Sequence, residues 1–435
     1  MALKYGLTGW VLNTNENVRI MVSGNPADIV SFLTSLEKEA PPASMIEDIS
    51  VEESEGGGFD GFNILHSRNL SEEITEISPD IAVCQECMED IAKEGSRLDY
   101  AFVNCTNCGP RFTIIRDLPY DRDKTTMQPF AMCDACFKEY ESVTDRRFHA
   151  QPTACMDCGP QYELFVAGKK ADCGTGEIAD HVAGCLDSGS VALIKGLGGM
   201  HLACDALNKS AVGKLRAVKN REGKPFAVMF RDIDAVKQFA IVTPAEEQSL
   251  LSWRRPIVLL FLNERGTRAI GKNLNSGLNL LGVMLPYLPF HHLLFRRLKT
   301  PAIVLTSGNF SSEPILTDNR EAISQFSPLV ETIVLHNREI FNRTDDSVAR
   351  IMDGKERILR RSRGYVPTPI RTGMNTDGIL AFGAELANCF CVGKGQKAFL
   401  SQHIGDLKGW ETTQFYEETI TRFIQLFRVT PSLLA

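Results

Sequence analysis

Apolar and polar residues follow different periods along the chain, and each change of period predicts a new element. Residues 7 to 22 alternate on both sides of a polar turn, which predicts a β-hairpin. From 26 to 42, apolar residues recur at helical spacing and stop at two prolines, which predicts a helix. Short apolar runs at 45 to 53 and 61 to 67 predict further strands. The front of the chain therefore has the order strand, strand, helix, strand.

The second half of the chain alternates between β-rich and helical stretches. This alternation begins at Ser190 and predicts a series of strands and helices. Residues 378 to 407 predict strands joined by tight glycine turns. An amphipathic helix follows, with an apolar face formed by Phe415, Ile420, Phe423, Ile424 and Phe427.

Length and composition limit what the protein can be. At 435 residues the chain exceeds one hydrophobic core, so about three or four units are expected. The net charge of −7 argues against a general nucleic-acid binder, which usually has a basic surface. The first residues lack a long apolar core, and no stretch approaches the ~20 apolar residues of a membrane span. We therefore expect a protein of the reducing cytoplasm.

Eight of the thirteen cysteines form four CxxC pairs, and the pairs repeat as a unit. Seventeen residues separate the first pair from the second, and eighteen separate the third from the fourth. This spacing is typical of a four-thiolate zinc site. The surroundings repeat as well, because NCTNCGPRF at 104 to 112 is echoed by ACMDCGPQY at 154 to 162. We predict two structural zinc ions in a duplicated ribbon, held by Cys84, Cys87, Cys105, Cys108, Cys133, Cys136, Cys155 and Cys158.

Disulfides and a histidine ligand are the alternatives to this assignment. The remaining five cysteines are scattered singly and no signal peptide precedes them, which disfavours disulfides. His149 lies near the second site, but four thiolates already close a tetrahedral shell. Zinc bound by thiolates alone is the preferred interpretation, and each ion would contribute on the order of 10 kcal/mol to folding.

Neither common nucleotide-binding motif is present. Gly196, Gly198 and Gly199 resemble a phosphate loop, but His201 stands where GxGxxG requires its last glycine. The pattern GxxxxGK[ST] does not occur.

Basic residues cluster instead near predicted strand ends. Lys219, Arg221 and Lys224 precede a strand, and the turn Ser307 to Asn309 follows one. Between 338 and 363, eight Lys or Arg stand against five Asp or Glu. Cations next to a polar turn and carboxylates are what a triphosphate with its magnesium requires. A solvated surface is the alternative for any one of these residues taken singly.

The segment GWVLNT at 9 to 14 and the elements after it resemble the acylphosphatase domain, a ferredoxin-like sandwich. Asn13 matches the asparagine that orients the attacking water in that family. No segment matches the arginine loop that binds the acyl phosphate there. The resemblance therefore implies a domain over 1 to 68 that is truncated at its N-terminus and catalytically inactive, with Asn13 as a plain turn residue in the alternative.

Three segments resemble the YrdC-type domain, which is a twisted open α/β sheet: IKGLGG at 194 to 199, Lys219 to Arg221, and Ser307 to Asn309. The resemblance is narrowed to one family by four further segments, REGKPFAVM, TSGN, HNREIFNRTDDSV and RRSRGYVP. Together with the duplicated zinc pattern, they resemble the hydrogenase maturation carbamoyltransferases of the HypF type. The resemblance implies a multidomain α+β and α/β protein. After the front segment come a double zinc ribbon at 78–165, a YrdC-like domain at 175–372 and the truncated start of an actin-like carbamoyl-transfer domain at 377–435.

The family resemblance implies a chemistry and a set of residues. Carbamate derived from carbamoyl phosphate or bicarbonate is joined to ATP with magnesium, giving carbamoyl adenylate. The carbamoyl group then passes to the C-terminal cysteine of a partner maturation protein, on the way to a cyanide ligand. The residues implied are Lys195, Lys219 and Arg221 for catalysis, and Lys219, Arg221, Lys224, Ser307, Asn309, Arg343 and Asp346 for ATP. His201 and Asp205 are further candidates, with a structural role as the alternative.

Two other functions remain open at this stage. The YrdC-type core also allows a threonylcarbamoyl-adenylate synthase acting toward transfer RNA. A zinc-ribbon scaffold without catalysis is the third interpretation. The last sixty or so residues are expected to be partly disordered, to expose apolar surface or to pack on the YrdC-like unit, because they cannot form a closed domain. Cys389 and Cys391 are interpreted as buried core.

Overall fold

The structure is a computed structural model. It describes residues 1–14, 17–41, 43–44, 46, 48–54, 58–65, 76–221, 223–310 and 313–435, apart from the side chains of Asn13 and Asn273. The chain divides into two compact units, Met1–Glu76 and Ile77–Ala435. Over the described ranges, no helix combines the length and the apolar character that crossing a bilayer requires.

The first unit contains a three-stranded sheet. Strand β1 (Thr8–Asn13) pairs antiparallel with β2 (Val18–Ser23) and parallel with β3 (Phe62–Ile64). The predicted hairpin is therefore confirmed. A strand predicted at 45–53 is not found in the described part of that stretch.

Helix α1 (Pro26–Lys38) covers the first unit's small core. It starts at Asn25, whose side-chain oxygen accepts a hydrogen bond from the Ala27 amide at 3.0 Å. Pro26 suits the first helical position because it has no amide hydrogen to leave unpaired. Phe32 is buried with Leu7, which fixes the apolar face of the helix against the chain before β1. The predicted helix is confirmed.

The zinc-ribbon segment, at 77–161, has little regular secondary structure. Helices α2 (Gln85–Asp90) and α3 (Asp134–Glu141) begin directly after Cys84 and Cys133. The remaining chain is turns and irregular backbone, with a 3-10 turn at Arg122–Lys124 and isolated bridges that pair Ile81 with Gly109, Cys105 with Cys108, and Ile115 with Thr125. Such a segment buries few backbone hydrogen bonds in helices or sheets, so its fold depends on other cross-links.

A mixed sheet of eleven strands forms the centre of the second unit. Its strands are β4 (Tyr162–Val166), β5 (Lys169–Ala171), β6 (Ala192–Lys195), β7 (Met200–Asp205), β8 (Val228–Phe230), β9 (Ile257–Phe261), β10 (Leu280–Met284), β11 (Ala302–Ser307), β12 (Thr332–His336), β13 (Val348–Met352) and β14 (Lys355–Arg360). Their order across the sheet is β14-β13-β9-β10-β8-β11-β7-β6-β12-β4-β5.

Helices accompany the strands of this sheet along the chain. They are α4 (Thr175–Asp187), α5 (Lys209–Lys219), α6 (Ile233–Phe239), α7 (Pro244–Leu251), α8 (Glu264–Ala269), α9 (Lys272–Asn275), α10 (Pro289–Phe295) and α11 (Asn319–Phe326). Side chains from strands and helices share one large core that includes Leu215, Phe230, Phe239 and Phe326. The strand-and-helix alternation predicted after Ser190 is confirmed.

The last part of the chain forms a second sheet and one long helix. The strands are β15 (Ile370–Arg371), β16 (Ile379–Ala381), β17 (Cys391–Lys394), β18 (Lys397–Leu400) and β19 (Leu433–Leu434), and the helix is α12 (Trp410–Leu426). Their sheet order is β15-β18-β17-β16-β19.

Helix α12 packs on the rest of the second unit. Phe423 is buried, with its ring 5.2 Å from that of Phe390 and 5.9 Å from that of Phe112 in the zinc-ribbon segment. Packing on the YrdC-like unit was one of three expected outcomes and is confirmed, since the guanidinium of Arg343 lies 4.9 Å from the centre of the Phe415 ring. Exposed apolar surface is also present, since Trp410 is 70% exposed. Cys389 and Cys391 are half-buried rather than buried.

Candidate functional site

The eight cysteines predicted as ligands form two compact groups. Within each group, the four sulfur atoms lie within 4.8 Å of one another. In the first group, Sγ of Cys105 lies 3.7 Å from that of Cys84 and 3.8 Å from that of Cys108. A tetrahedral zinc ion with Zn–S bonds of ~2.3 Å separates its sulfur atoms by roughly 3.8 Å. The groups therefore have the dimensions of a zinc site.

The second group repeats this geometry. The sulfur of Cys155 lies 3.8 Å from those of Cys133 and Cys158, and Cys158 Sγ lies 3.7 Å from Cys136 Sγ. A disulfide requires sulfur atoms about 2.05 Å apart, and all thirteen cysteines are free thiols. Both groups thus fit zinc binding by four thiolates, with no open position at the metal for catalysis.

His149 is occupied by its own neighbours. Its ring stacks on that of Tyr140 at 4.9 Å between centroids, and it contacts the ring of Phe148 at 4.3 Å. Its backbone has a positive φ of 52°, in the left-handed region, in the stretch between Cys136 and Cys155. Neither group of candidate metal ligands includes it.

A second candidate site lies along one edge of the eleven-stranded sheet. Strands β6, β11 and β12 end at this edge and β7 begins there, because β7 runs antiparallel to β6 and β11. The edge therefore carries Lys195, His201, Ser307 and His336 side by side, with the turn 196–199 between β6 and β7. Gly198 has no room for a side chain, since a Cβ would overlap the carbonyl oxygen of Thr344.

Lys195 is buried at the end of β6. Its ammonium donates to Asn319 Oδ1 at 2.7 Å and to the His336 carbonyl oxygen at 3.1 Å. Burial, followed by the repulsion of nearby Arg338, lowers the pKa of Lys195 to about 8. A buried ammonium with two neutral partners attracts an anion strongly.

Lys219 is joined to the SGN turn after β11. Its ammonium donates to the carbonyl oxygen of Ser307, and to the carbonyl and side-chain oxygens of Asn309 at 2.9 Å each. Ser307 Oγ donates to Asn309 Oδ1 at 2.7 Å. Burial, followed by the repulsion of Arg221, lowers the pKa of Lys219 to about 7. The structure thus brings three predicted site residues into direct contact.

Arg221 and Lys224 follow Lys219 on the chain. Arg221 donates to the Pro225 carbonyl at 3.1 Å, and its guanidinium lies 5.3 Å from the centre of the Phe226 ring. Its Nε is buried without a hydrogen-bond partner. Lys224 is exposed. Arg221 therefore has donor capacity to spare, and Lys224 presents its charge to solvent.

Asp346 is held inside the protein. Its Oδ1 accepts from Arg363 Nε at 2.8 Å, and its Oδ2 lies 3.8 Å from His201 Nε2. Burial raises the pKa of this carboxyl, but the charge of Arg363 and the proximity of His201 lower it below its usual range overall. Burial lowers the pKa of His201, despite the nearby carboxylate. Asp205 lies at the far end of β7 from His201, where it accepts from Thr300 Oγ1 at 2.8 Å.

Arg343 lies apart from the SGN turn, on a polar cavity of about 380 Å³. Its guanidinium lies 4.9 Å from the centre of the Phe415 ring in α12. Lys195, Asn319 and Arg422 also line this cavity, so it separates the sheet edge from α12.

Sequence reasoning missed the groups that fix the predicted residues. Asn319 and His336 hold Lys195, and Arg363 holds Asp346. Asn319 follows Asp318 at the start of α11, but this pair signals only a helix cap. The side chain of Asn13 lies outside the described residues, whereas its backbone pairs with Val18 at the end of β1.

Models of known families match four stretches of the chain. Residues 1–64 match acylphosphatase, and 83–115 and 132–165 match the HypF finger. The Sua5, YciO and YrdC model, described as telomere recombination, matches 184–362. The HypF Kae1-like domain matches 374–435. Fold and sites thus define a multidomain α/β protein with an acylphosphatase-like unit and two four-cysteine sites that fit zinc.

Whole-chain relatives identify the family. Carbamoyltransferase HypF of Rhodobacter capsulatus is 41% identical, covering 100% of this chain and 57% of the relative. Probable carbamoyltransferase HypF of Methanocaldococcus jannaschii is 39% identical, covering 98% and 56%. A crystal structure of full-length HypF in the phosphate- and nucleotide-bound form has 45% identity and a TM-score of 0.90, covering 100% and 56%. The chain belongs to the HypF family, whose curated members carry the name carbamoyltransferase.

This chain is shorter than the relatives that it matches. The alignment with the Rhodobacter protein covers this chain over its full length. The chain spans 57% of the length of that relative and 55% of the length of the HypF from Rhizobium leguminosarum, which is 39% identical.

Proposed function

We propose that this chain carries the adenylation step of a carbamoyltransferase of nickel-iron hydrogenase maturation. ATP and carbamate, released from carbamoyl phosphate or formed from bicarbonate and ammonia, would give carbamoyl adenylate and pyrophosphate. The carbamoyl group would then pass to the C-terminal cysteine of a partner maturation protein in the cytoplasm. The observation that carries the proposal is the pair of buried lysines, Lys195 and Lys219, at one edge of the sheet in a member of the HypF family.

The two lysines would contact different parts of the triphosphate. Lys219, held against the SGN turn, would bind phosphate oxygens together with Arg221, whose Nε is still unpartnered. Lys195 has only neutral partners, so its charge is available to stabilise the pyrophosphate leaving group. The remaining proposed contacts to ATP are Lys224, Ser307, Asn309, Arg343 and Asp346.

The carboxylates near the site are already paired. Asp345 accepts from Arg360 at 2.9 Å, and Asp346 accepts from Arg363. Magnesium prefers oxygen ligands and usually keeps several waters when it accompanies a nucleotide. We therefore propose that magnesium arrives with ATP and is held mainly by phosphate oxygens. Asp346 Oδ2, which lies 3.8 Å from His201 Nε2, is the protein oxygen that we propose for the ion or for a ribose hydroxyl.

The test is exchange of labelled pyrophosphate into ATP by the full chain. Exchange that depends on carbamoyl phosphate, or on bicarbonate together with ammonia, with carbamoyl adenylate identified by mass spectrometry, would support the proposal. Exchange with bicarbonate and ammonia but not with carbamoyl phosphate would locate the deficiency in the front unit. Exchange that requires threonine would replace the proposal by threonylcarbamoyl-adenylate synthesis. Failure to bind ATP would leave a zinc-ribbon scaffold.

A further inference from the structure

An arginine from the first half of the zinc-ribbon segment reaches the cysteine group of the second half. Arg97 lies between Cys87 and Cys105 in sequence, yet its Nη2 donates to Cys136 Sγ at 3.5 Å. Its Nη1 donates to Glu139 at 2.8 Å, and its Nε donates to the Ala154 carbonyl oxygen at 3.1 Å. Only 9% of this side chain is exposed. The guanidinium is thus built into the second site.

The second half of the segment makes the same kinds of contact with the first half. Arg146 Nη1 donates to Cys87 Sγ at 3.0 Å, and Arg147 Nε donates to the Asn104 carbonyl oxygen at 3.2 Å. Both guanidinium groups also pair with Asp90. Arg146 and Arg147 together therefore make the three kinds of contact that Arg97 makes alone.

These contacts join equivalent positions of the duplicated sequence. Asp90 and Glu139 each stand third after the second cysteine of the preceding CxxC pair, Cys87 and Cys136. Arg97 and Arg147 each stand eight residues before the first cysteine of the following pair, at Cys105 and Cys155. Backbone bonds cross in the same sense, because the Thr106 amide donates to the Arg146 carbonyl and the Met156 amide to the Ser96 carbonyl, each at 3.1 Å. The reciprocal contacts between the two halves therefore follow from the duplication of the sequence.

A zinc ion with four thiolates carries a formal charge of about −2, which is costly to bury without a counter-charge. An arginine N–H aimed at a coordinating sulfur supplies that charge and holds the sulfur in place. Here the counter-charge of each site is anchored in the backbone of the opposite half. The position of each arginine in turn depends on the knuckles of its own half being formed.

We propose that the two zinc sites are mutually dependent. Arg146 acts as a positioning residue for the Cys84 group, which consists of Cys84, Cys87, Cys105 and Cys108. Arg97 does the same for the Cys133 group, which consists of Cys133, Cys136, Cys155 and Cys158. Each half of the segment supplies the arginine that contacts the cysteine group of the other half. Loss of zinc from one site frees the arginine of that half, and the other site then binds its zinc more weakly. This proposal does not rest on the adenylation chemistry.

The test follows each site separately in the full chain. The zinc-loaded protein is challenged with a chelator and iodoacetamide, and peptide mass spectrometry records which cysteines become alkylated. Arg97→Gln should speed alkylation of the Cys133 group, and Arg146→Gln that of the Cys84 group, each by about tenfold or more. Arg116→Gln, a surface arginine of the same segment that pairs with Glu339, is the matched control.

Coupling is tested by removing one ligand from one site. Cys155→Ser should speed alkylation of the Cys84 group, although its own sulfur lies in the other group. Arg97→Lys keeps the charge without the forked donor and should give an intermediate rate at the Cys133 group. It also serves if Arg97→Gln does not fold. Faster alkylation confined to the half that carries the substitution, or rates equal to those of Arg116→Gln, would overturn the proposal.

Discussion

The side-chain amide of Asn342 donates to the carbonyl oxygen of Phe112 at 2.7 Å and to that of Ile115 at 3.0 Å. These bonds join the loop after β12, which carries Arg343 and Asp346, to the zinc-ribbon segment. Backbone bonds strengthen the junction, since the amides of Phe341 and Asn342 both donate to the Thr113 carbonyl at 3.0 Å. The zinc-ribbon segment thus holds a loop that contributes to the candidate nucleotide site.

Replacing Asn342 by Ala should weaken this junction. Asn342 is 4% exposed, so the change leaves buried carbonyl oxygens with fewer donors. We expect a loss of about 1 to 3 kcal/mol in the free energy of unfolding, measured by urea denaturation. Asn375→Ala, which removes an amide from an exposed turn, is the control and should change it by less than about 0.5 kcal/mol. Equal effects of the two substitutions would contradict the assignment.

Lys219→Ala should abolish carbamate-dependent exchange of pyrophosphate into ATP. The substitution removes the ammonium that touches Ser307 and Asn309, and with it the proposed grip on phosphate. Zinc content, measured by atomic emission, should remain that of the unaltered chain. The matched control is Lys237→Ala, since Lys237 is exposed and pairs with Glu247 on the protein surface. Unchanged exchange in Lys219→Ala would refute the assigned role.

ATP binding should weaken as the pH rises through about 7 and above. The pKa of Lys219 is lowered from 10.5 to about 7, chiefly by burial, so its positive charge is lost in this range. Bound triphosphate would shift the transition upward, because it favours the charged form. Calorimetric titration with ATP between pH 6 and 9 measures the effect. In Lys219→Met, this component of the pH dependence should be absent.

The same lysine gives stability the opposite trend with pH. Between about pH 7 and 10.5 the unfolded chain binds a proton at Lys219 that the folded chain does not, so the free energy of unfolding rises with pH. The difference between unaltered protein and Lys219→Met, followed by denaturation, should show this rise. A fall in ATP affinity accompanied by a fall in stability would mean unfolding rather than titration.

Chelation should unfold the zinc-ribbon segment, because so little of it is helix or strand. Two zinc ions per chain are expected, and Cys87→Ser should reduce the content by at least one. Each ion contributes on the order of 10 kcal/mol to folding its site. Cys173→Ser, a half-buried cysteine outside both groups, is the control and should keep both ions. A Cys87→Ser protein with two tightly held ions would exclude the four-thiolate site.

Phe423→Ala should separate the last part of the chain from the rest of the second unit. The Phe423 side chain is 1% exposed and lies between Phe112, Phe390 and Phe427. Truncating it leaves a cavity and costs about 3 to 5 kcal/mol. Limited proteolysis should then cut near β15 to β19 faster than in the unaltered protein. Trp410→Ala in the same helix removes a side chain that is 70% exposed and should leave the cleavage rate unchanged.

The sequence predicted the zinc sites well because their information is local. A CxxC pair places two sulfur atoms on one turn whatever surrounds it, so spacing alone predicts the ligand set. The crossing of Arg97 to Cys136 depends on how two halves pack, and no spacing reports that contact. The same limit explains why the contact between α12 and Phe112 of the zinc-ribbon segment was not predicted, since the two lie far apart in the chain.

The candidate nucleotide site was predictable as a set of residue types but not as contacts. Lys219, Ser307 and Asn309 meet because α5 ends beside β11, which only the sheet order determines. The sequence does not show that Asp346 Oδ1 accepts from Arg363, a pairing that arises because a buried carboxylate requires a counter-charge. Residue type indicates what chemistry is possible, and tertiary structure determines which atoms remain to perform it.

The three contacts of Lys219 have a consequence for how quickly a nucleotide can be captured. An ammonium has three N–H bonds, and in Lys219 all three have oxygen acceptors within the SGN turn. A phosphate oxygen can bind this ammonium only by displacing one of those acceptors, so capture includes a local rearrangement of 307–309. The observed rate of ATP association should therefore reach a maximum as the ATP concentration increases. This maximum is the rate at which the turn releases the Lys219 ammonium.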